Sequence, residues 1–148
     1  MVRILLIICG VALVFICAGK FTSQANAPRS LESDDYLWKI FSQCEVRTNQ
    51  NNSYSISYLP GVKAMGGKQL TISGFMQPLE ATAKFSHYLL SRRAPTCAFC
   101  PPGEPNEIVE VFSSQPVRWE ENIVTVKGQL ILANDSKKGI FFQLKGGR

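Results

Sequence analysis

Hydrophobic and polar positions change their period along the chain, and the change predicts a helix followed by strands. Over residues 33–46, Leu37, Ile40, Phe41 and Cys44 recur at spacings of three and four residues, as in an amphipathic helix. After the polar run at 48–52, hydrophobic and polar residues alternate, as in half-buried strands. The alternating sets are Tyr54, Ile56 and Tyr58; Leu70, Ile72, Gly74 and Met76; Val124, Val126, Gly128, Leu130 and Leu132; and Ile140, Phe142 and Leu144.

Two shorter apolar runs and one turn complete this pattern. Residues 85–90 and 108–112 are short strand candidates, and the run 134–139 (NDSKKG) is typical of a hairpin turn. Since no helix alternates with these strands, we predict a mainly β fold, a small antiparallel Greek-key or OB-like barrel preceded by one N-terminal amphipathic helix. The predicted organisation is a signal peptide at 1–25, a linker and helix at 26–52, and a β-barrel domain at 53–148.

The first residues predict export. Arg3 precedes an uninterrupted apolar run at 4–19, and small residues follow at 23–27. Cleavage after Ala25 avoids Pro28 next to the scissile bond and would release the protein into the periplasm. Two alternatives are an uncleaved inner-membrane anchor at 4–19 and a lipid-modified Cys17.

Composition limits the partners. The chain has 148 residues, of which 45% are hydrophobic and 18% are charged, so disorder is not expected. Beyond residue 25 there are 14 basic and 11 acidic residues, a net charge of +3. This excess is too small to indicate a polyanionic partner, and we expect no binding to nucleic acid.

The cysteines carry the candidate chemistry. Signal cleavage would leave Cys44, Cys97 and Cys100, the last two at C-x-x-C spacing. Such a pair can form a structural disulfide, act as a redox couple or supply two metal ligands. Pro101 and Pro102 would disturb the helix that a thioredoxin-type site requires, whereas Zn or Cu suits the two thiolates.

A metal site needs further ligands, which must come from outside this pair. We predict His87 as the third ligand and Met76 or Cys44 as the fourth. Carboxylates that could complete the site are Glu80, Glu104 and Glu107. The alternative readings are a hydrogen-bonded structural histidine and a methionine that fills the core.

Catalytic signatures of other kinds are missing from the sequence. It contains no nucleophile elbow, no phosphate-binding glycine loop and no His-Glu-x-x-His. We therefore predict a protein without enzymatic activity, with a periplasmic thiol–disulfide oxidoreductase as the alternative. A third alternative is an interaction module with an inert disulfide between Cys97 and Cys100.

Several motifs together resemble one known family. They are Gly-Phe-Met-x-Pro-Leu-Glu at 74–80, Cys-x-Phe-Cys-x-Pro at 97–102, Asn-Glu-Ile-Val-Glu-Val at 106–111 and Phe-Phe-Gln-Leu at 141–144. This set resembles a bacterial exported family classified as a domain of unknown function (number thirty-two ninety-nine). The resemblance implies a small exported β domain, in some members associated with metal-uptake or transport systems, and it assigns no catalytic residue. The partner that we expect is a membrane transport or assembly system.

Overall fold

The computed structural model of the protein describes residues 31–96 and 102–148. The predicted signal peptide and both cysteines of the C-x-x-C pair therefore lie outside the described residues. Within the described ranges, no helix is long and apolar enough to cross a membrane.

Strands dominate the described residues, and the predicted mainly β class is confirmed. The elements are α1 (Tyr36–Phe41), β1 (Glu45–Thr48), β2 (Tyr54–Ser57), α2 (Pro60–Met65), β3 (Gln69–Pro78), β4 (Phe85–Ser91), a 3₁₀ turn (Pro105–Glu107), β5 (Ile108–Val117), β6 (Val124–Asp135) and β7 (Ile140–Gly147). Strands β1 and β2 form a separate antiparallel pair. The other five strands close on themselves as a barrel in the order β3-β4-β5-β7-β6, with β3 also paired to β6.

One strand pair departs from the antiparallel prediction. Strand β7 lies between β6, to which it is antiparallel, and β5, to which it is parallel. Alternation along a strand reports which face is buried, and it carries no information about which strand lies alongside. The parallel pairing of β5 and β7 therefore could not be predicted from the alternation of hydrophobic and polar residues.

The helix at the N-terminal side is shorter than the predicted range of 33–46. Helix α1 begins after Asp35, whose side chain accepts a hydrogen bond from Leu37 N at 3.0 Å and a second from Ser73 N at 2.8 Å. It ends at Phe41, and β1 begins four residues later at Glu45. Between them the chain is held by the 3₁₀ turn, because Asn106 Nδ2 donates to the carbonyls of Ser42 and Cys44.

Helix α1 packs its apolar face against the barrel interior. The Phe41 ring stacks on Phe142 of β7 with centroids 4.3 Å apart. Trp38 is fully buried, and its indole nitrogen donates to Ser73 O at 2.7 Å. Gly74 allows this approach, since a Cβ there would lie 2.7 Å from Ser91 O and 3.1 Å from the Trp38 ring. The helix thus joins one core that contains Trp38, Phe41, Cys44, Val62, Ile72, Met76, Phe85, Tyr88, Leu90, Val109, Val111, Val126, Leu130, Phe141, Phe142 and Leu144.

Candidate functional site

The segment that carries the C-x-x-C pair leaves and rejoins the barrel at one place. Ser91, the last residue of β4, pairs with Ile108, the first residue of β5. The next residues outward remain joined, because Arg92 N donates to Glu107 O at 3.1 Å. The two ends of the segment 93–106, which we call the C-x-x-C loop, are therefore adjacent in space.

Four charged residues fix the base of this loop, and we call Glu32, Arg92, Arg93 and Glu107 the loop foot. Glu107 Oε1 accepts from Arg92 Nη1 at 3.2 Å and from Arg93 Nη2 at 3.3 Å. Arg92 also pairs with Glu32, at 2.6 Å. Two guanidinium groups are thus balanced by two carboxylates, and the Glu107 side chain is only 7% exposed.

The second oxygen of the Glu107 carboxylate has no such partner. Oε2 is buried and makes no hydrogen bond with any described residue. Glu107 Oε2 lies close to Gly103 of the loop, since a Cβ added to that glycine would be 3.4 Å from this oxygen. A buried acceptor without a partner costs about 1–3 kcal/mol, so this oxygen is available to a proton donor or a metal ion from the loop.

His87 belongs to a second polar group, on strands β4, β5 and β7. Its Nε2 lies 2.8 Å from Glu110 Oε1, and its ring stacks on Phe112 with centroids 4.6 Å apart. Glu110 Oε2 accepts a hydrogen bond from Gln143 Nε2 at 2.6 Å. Because Glu110 is 8% exposed and holds both neighbours, it fixes the plane of the imidazole.

The structure does not bring His87 and Met76 together. Met76 is 5% exposed and belongs to the core, as do Tyr88 and Leu90 on β4. His87 lies next to Tyr88 and pairs with Glu110 instead, on the face of β4 that points away from the core. The core-filling alternative therefore describes Met76 in this structure.

Cys44 is buried in the core, where the residue is 1% exposed, and its thiol is not in a disulfide. The backbone carbonyl of Cys44 accepts a hydrogen bond from Asn106 Nδ2, which belongs to the segment that leads from the C-x-x-C pair to β5. Burial raises the pKa of the Tyr58 hydroxyl to about 12, and Cys44 contributes a smaller electrostatic part of this rise. The surroundings of Cys44 are those of a small apolar side chain.

The carboxylates proposed from the sequence fall into two classes. Glu80 and Glu104 are exposed, whereas Glu107 is buried at the loop foot. Within residues 31–96 and 102–148, no three or more His, Cys, Asp or Glu side chains converge as a metal site would require. The described His, Cys and carboxylate side chains therefore do not form a metal site by themselves.

Sequence reasoning missed Glu110, which is the partner of His87, and Gln143, which donates to Glu110. A signal was present, because Glu110 interrupts an otherwise apolar strand, Ile-Val-Glu-Val-Phe. A carboxylate in such a run must find a hydrogen-bonding partner when buried. The candidates on the neighbouring strand included His87.

Comparison with known proteins bears on the fold and the family. A crystal structure of a DUF3299 family protein from Pseudomonas aeruginosa PAO1 matches with a TM-score of 0.50 and 23% sequence identity. The match covers 62% of this chain and 63% of that protein, and at this identity it supports the fold alone. No curated protein matches the sequence. Residues 22–141 match the family described as a protein of unknown function (DUF3299), which bears out the family resemblance, and the chain therefore belongs to that family.

Proposed function

We propose that this protein is an exported, periplasmic accessory protein whose C-x-x-C loop binds one Zn or Cu ion. Cys97 and Cys100 supply two thiolates, and the partner is a membrane transport or assembly system. The strand order, with β7 inserted parallel to β5, supports an OB-like assignment for the barrel that carries this loop.

The observation that carries the proposal is Glu107 Oε2 at the loop foot, which is buried and makes no hydrogen bond with any residue that the structure describes. Glu107 Oε2 faces the side of the loop that follows Cys100, and its sister oxygen is fixed by Arg92 and Arg93. A carboxylate held in this way is a suitable third ligand beside two thiolates. It also accounts for a buried acceptor that would otherwise be costly.

His87 supports the same function from a different position. Metal-binding histidines usually give their other ring nitrogen to a carboxylate, as His87 does to Glu110. It lies four residues before the end of β4, so it reaches the metal only if the loop folds back along the strand. In this proposal His87 is the fourth ligand and Met76 is not a ligand.

The test is mass spectrometry of protein purified without chelators. Under native conditions we expect one Zn or Cu per chain, and after denaturation both Cys97 and Cys100 should react with an alkylating agent. Glu107→Gln should weaken metal binding at least tenfold, whereas the matched change Glu104→Gln on the exposed neighbour should not. His87→Ala should abolish binding without changing the reactivity of the thiols after the metal is removed.

Two results would contradict the metal proposal. One is a metal-free protein in which Cys97 is joined to Cys100 by a disulfide. The other is metal binding that survives replacement of both cysteines by serine. The first result would leave the thiol–disulfide function as the better candidate.

That second candidate is favoured by the arginines of the loop foot. Arg92 and Arg93 stand at the start of the loop, and guanidinium groups near a cysteine favour its thiolate. A working redox pair should have a reduction potential well above about −300 mV, so that partners can reduce it. A lower potential, with stability lost on Cys97→Ser, would indicate a structural disulfide.

A further inference from the structure

A cationic cavity opens at the other end of β5 from the loop foot. Its volume is about 800 Å³, and it is lined by Gln69, Ser114, Lys127, Lys145, Gly146 and Arg148. The lining comes from β3, β5, β6 and the end of β7 with the residue that follows. This volume lies within the range of known ligand sites.

The charged side chains of this lining are all of one sign. Lys127, Lys145 and Arg148 contribute three positive charges, and the lining holds no Asp or Glu side chain. None of the three forms an ion pair with a described residue, in contrast to the arginines of the loop foot. Cations that face one cavity without counter-charges raise its potential and attract anions.

The fold fixes the backbone that carries these cations. Lys127 and Arg148 exchange two backbone hydrogen bonds, at 3.0 and 3.1 Å. Gly146 takes a positive φ of 71°, which turns the end of β7, and Gly147 packs where a Cβ would lie 2.8 Å from Val111. Ser113 Oγ donates to Gly147 O at 2.9 Å, which joins this end to β5. A ligand would need to order only side chains.

We infer that this cavity binds a phosphate group of an exogenous ligand. A phosphate monoester carries a charge of about −1.5 to −2 on three acceptor oxygens, more than one carboxylate offers to three cations. Arginine matches phosphate with paired N–H donors, and lysine serves as a point charge. Gln69 and Ser114 add neutral hydrogen-bonding groups to the same wall. This site is independent of the C-x-x-C loop and of its metal.

A phosphate monoester is carried both by soluble phosphate esters and by the lipid phosphatidic acid, so the experiment has two arms. In the first arm, glycerol 3-phosphate is titrated into the purified protein by calorimetry, with glycerol as the control. In the second, the protein is sedimented with vesicles of phosphatidic acid and phosphatidylcholine, and with vesicles of phosphatidylcholine alone. Both arms are repeated with Lys127→Gln/Lys145→Gln and with Lys39→Gln/Lys137→Gln, which removes two exposed lysines elsewhere.

Saturable binding in either arm should fall at least tenfold in the cavity variant and stay within twofold in the control. Binding of glycerol 3-phosphate identifies a soluble ester, and binding only to vesicles with phosphatidic acid identifies a lipid headgroup. The inference is overturned if no probe binds saturably. Equal loss in both double variants overturns it as well, because net charge alone would then explain the binding.

Discussion

A cluster of cationic side chains lies at each end of strand β5, and the two clusters differ in whether Asp or Glu side chains accompany them. At the loop foot, Arg92 and Arg93 meet the carboxylates of Glu32 and Glu107, and Glu107 is buried. At the cavity, Lys127 and Lys145 are exposed, and the lining contains no Asp or Glu side chain. The side-chain charges of the first group sum to zero, whereas those of the cavity lining are all positive.

This difference separates charges that hold the structure from charges that are available to a ligand. A buried carboxylate shared by two arginines costs much free energy if one partner is removed. Exposed lysines contribute little to stability, and their mutual repulsion acts against folding. Mutations at the loop foot should therefore mainly lower stability, whereas mutations at the cavity should mainly weaken ligand binding.

The largest effect on stability is expected at the loop foot. Glu107→Leu leaves two guanidinium groups without their shared carboxylate and should lower the free energy of unfolding by about 3 kcal/mol. The matched change Glu104→Leu lies three residues earlier on an exposed side chain and should stay within about 0.5 kcal/mol. Urea denaturation measures both. Equal losses would mean that the ion pairs of the foot do not stabilise the fold.

An intermediate effect on stability is expected at Tyr58, which belongs neither to the loop foot nor to the cavity. Its hydroxyl lies 2.7 Å from Ala133 O and 2.8 Å from Phe141 O. Tyr58→Phe removes a buried hydrogen bond and should cost about 1 kcal/mol at neutral pH. Tyr36→Phe, on a side chain that is 71% exposed, is the control and should cost nothing measurable.

Alkaline pH extends this test because burial raises the pKa of Tyr58 to about 12. The unfolded pKa is about 10, so the neutral hydroxyl favours the folded state. Its contribution is complete below pH 10 and is lost as the pH rises through about 12. Unfolding curves from pH 9 to pH 12 should therefore fall less steeply for Tyr58→Phe than for the wild-type protein. Parallel curves would contradict this assignment.

The smallest effect on stability is expected at the cavity. Lys127→Gln/Lys145→Gln removes repulsion between unpaired cations and should change the free energy of unfolding by less than about 0.5 kcal/mol. Any change should be a gain in stability that becomes smaller as salt is added, because salt screens exposed charges. Thermal unfolding at two salt concentrations measures it. A large loss would show that these lysines are structural, as at the loop foot.

The sequence predicted the strands well because alternation reports burial directly. The predicted runs around Ile72, Val126 and Phe142 correspond to β3, β6 and β7. It did not predict the early end of α1, since Asn106, which holds Ser42 and Cys44, is more than 60 residues away. Local patterns cannot report such distant partners.

The candidate site was less accessible from the sequence for the same reason. His87 was identified by its type, but its partner Glu110 depends on the register of β4 against β5. The three cations of the cavity are spread over residues 127–148 and converge only because β6 and β7 pair. Single residues can be read from a chain, whereas the distances between them depend on strand register.

The placement of β7 has a consequence for the order in which the protein is made. Because β7 fills the gap between β5 and β6, neither of these strands has its second neighbour until residues 140–147 have been synthesised. A nascent chain that lacks them has two unpaired strand edges and no closed barrel. Most contacts that complete the fold join distant residues, so they form late. Closure of the barrel therefore waits for residues 140–147, and a polypeptide that stops before them cannot complete the fold.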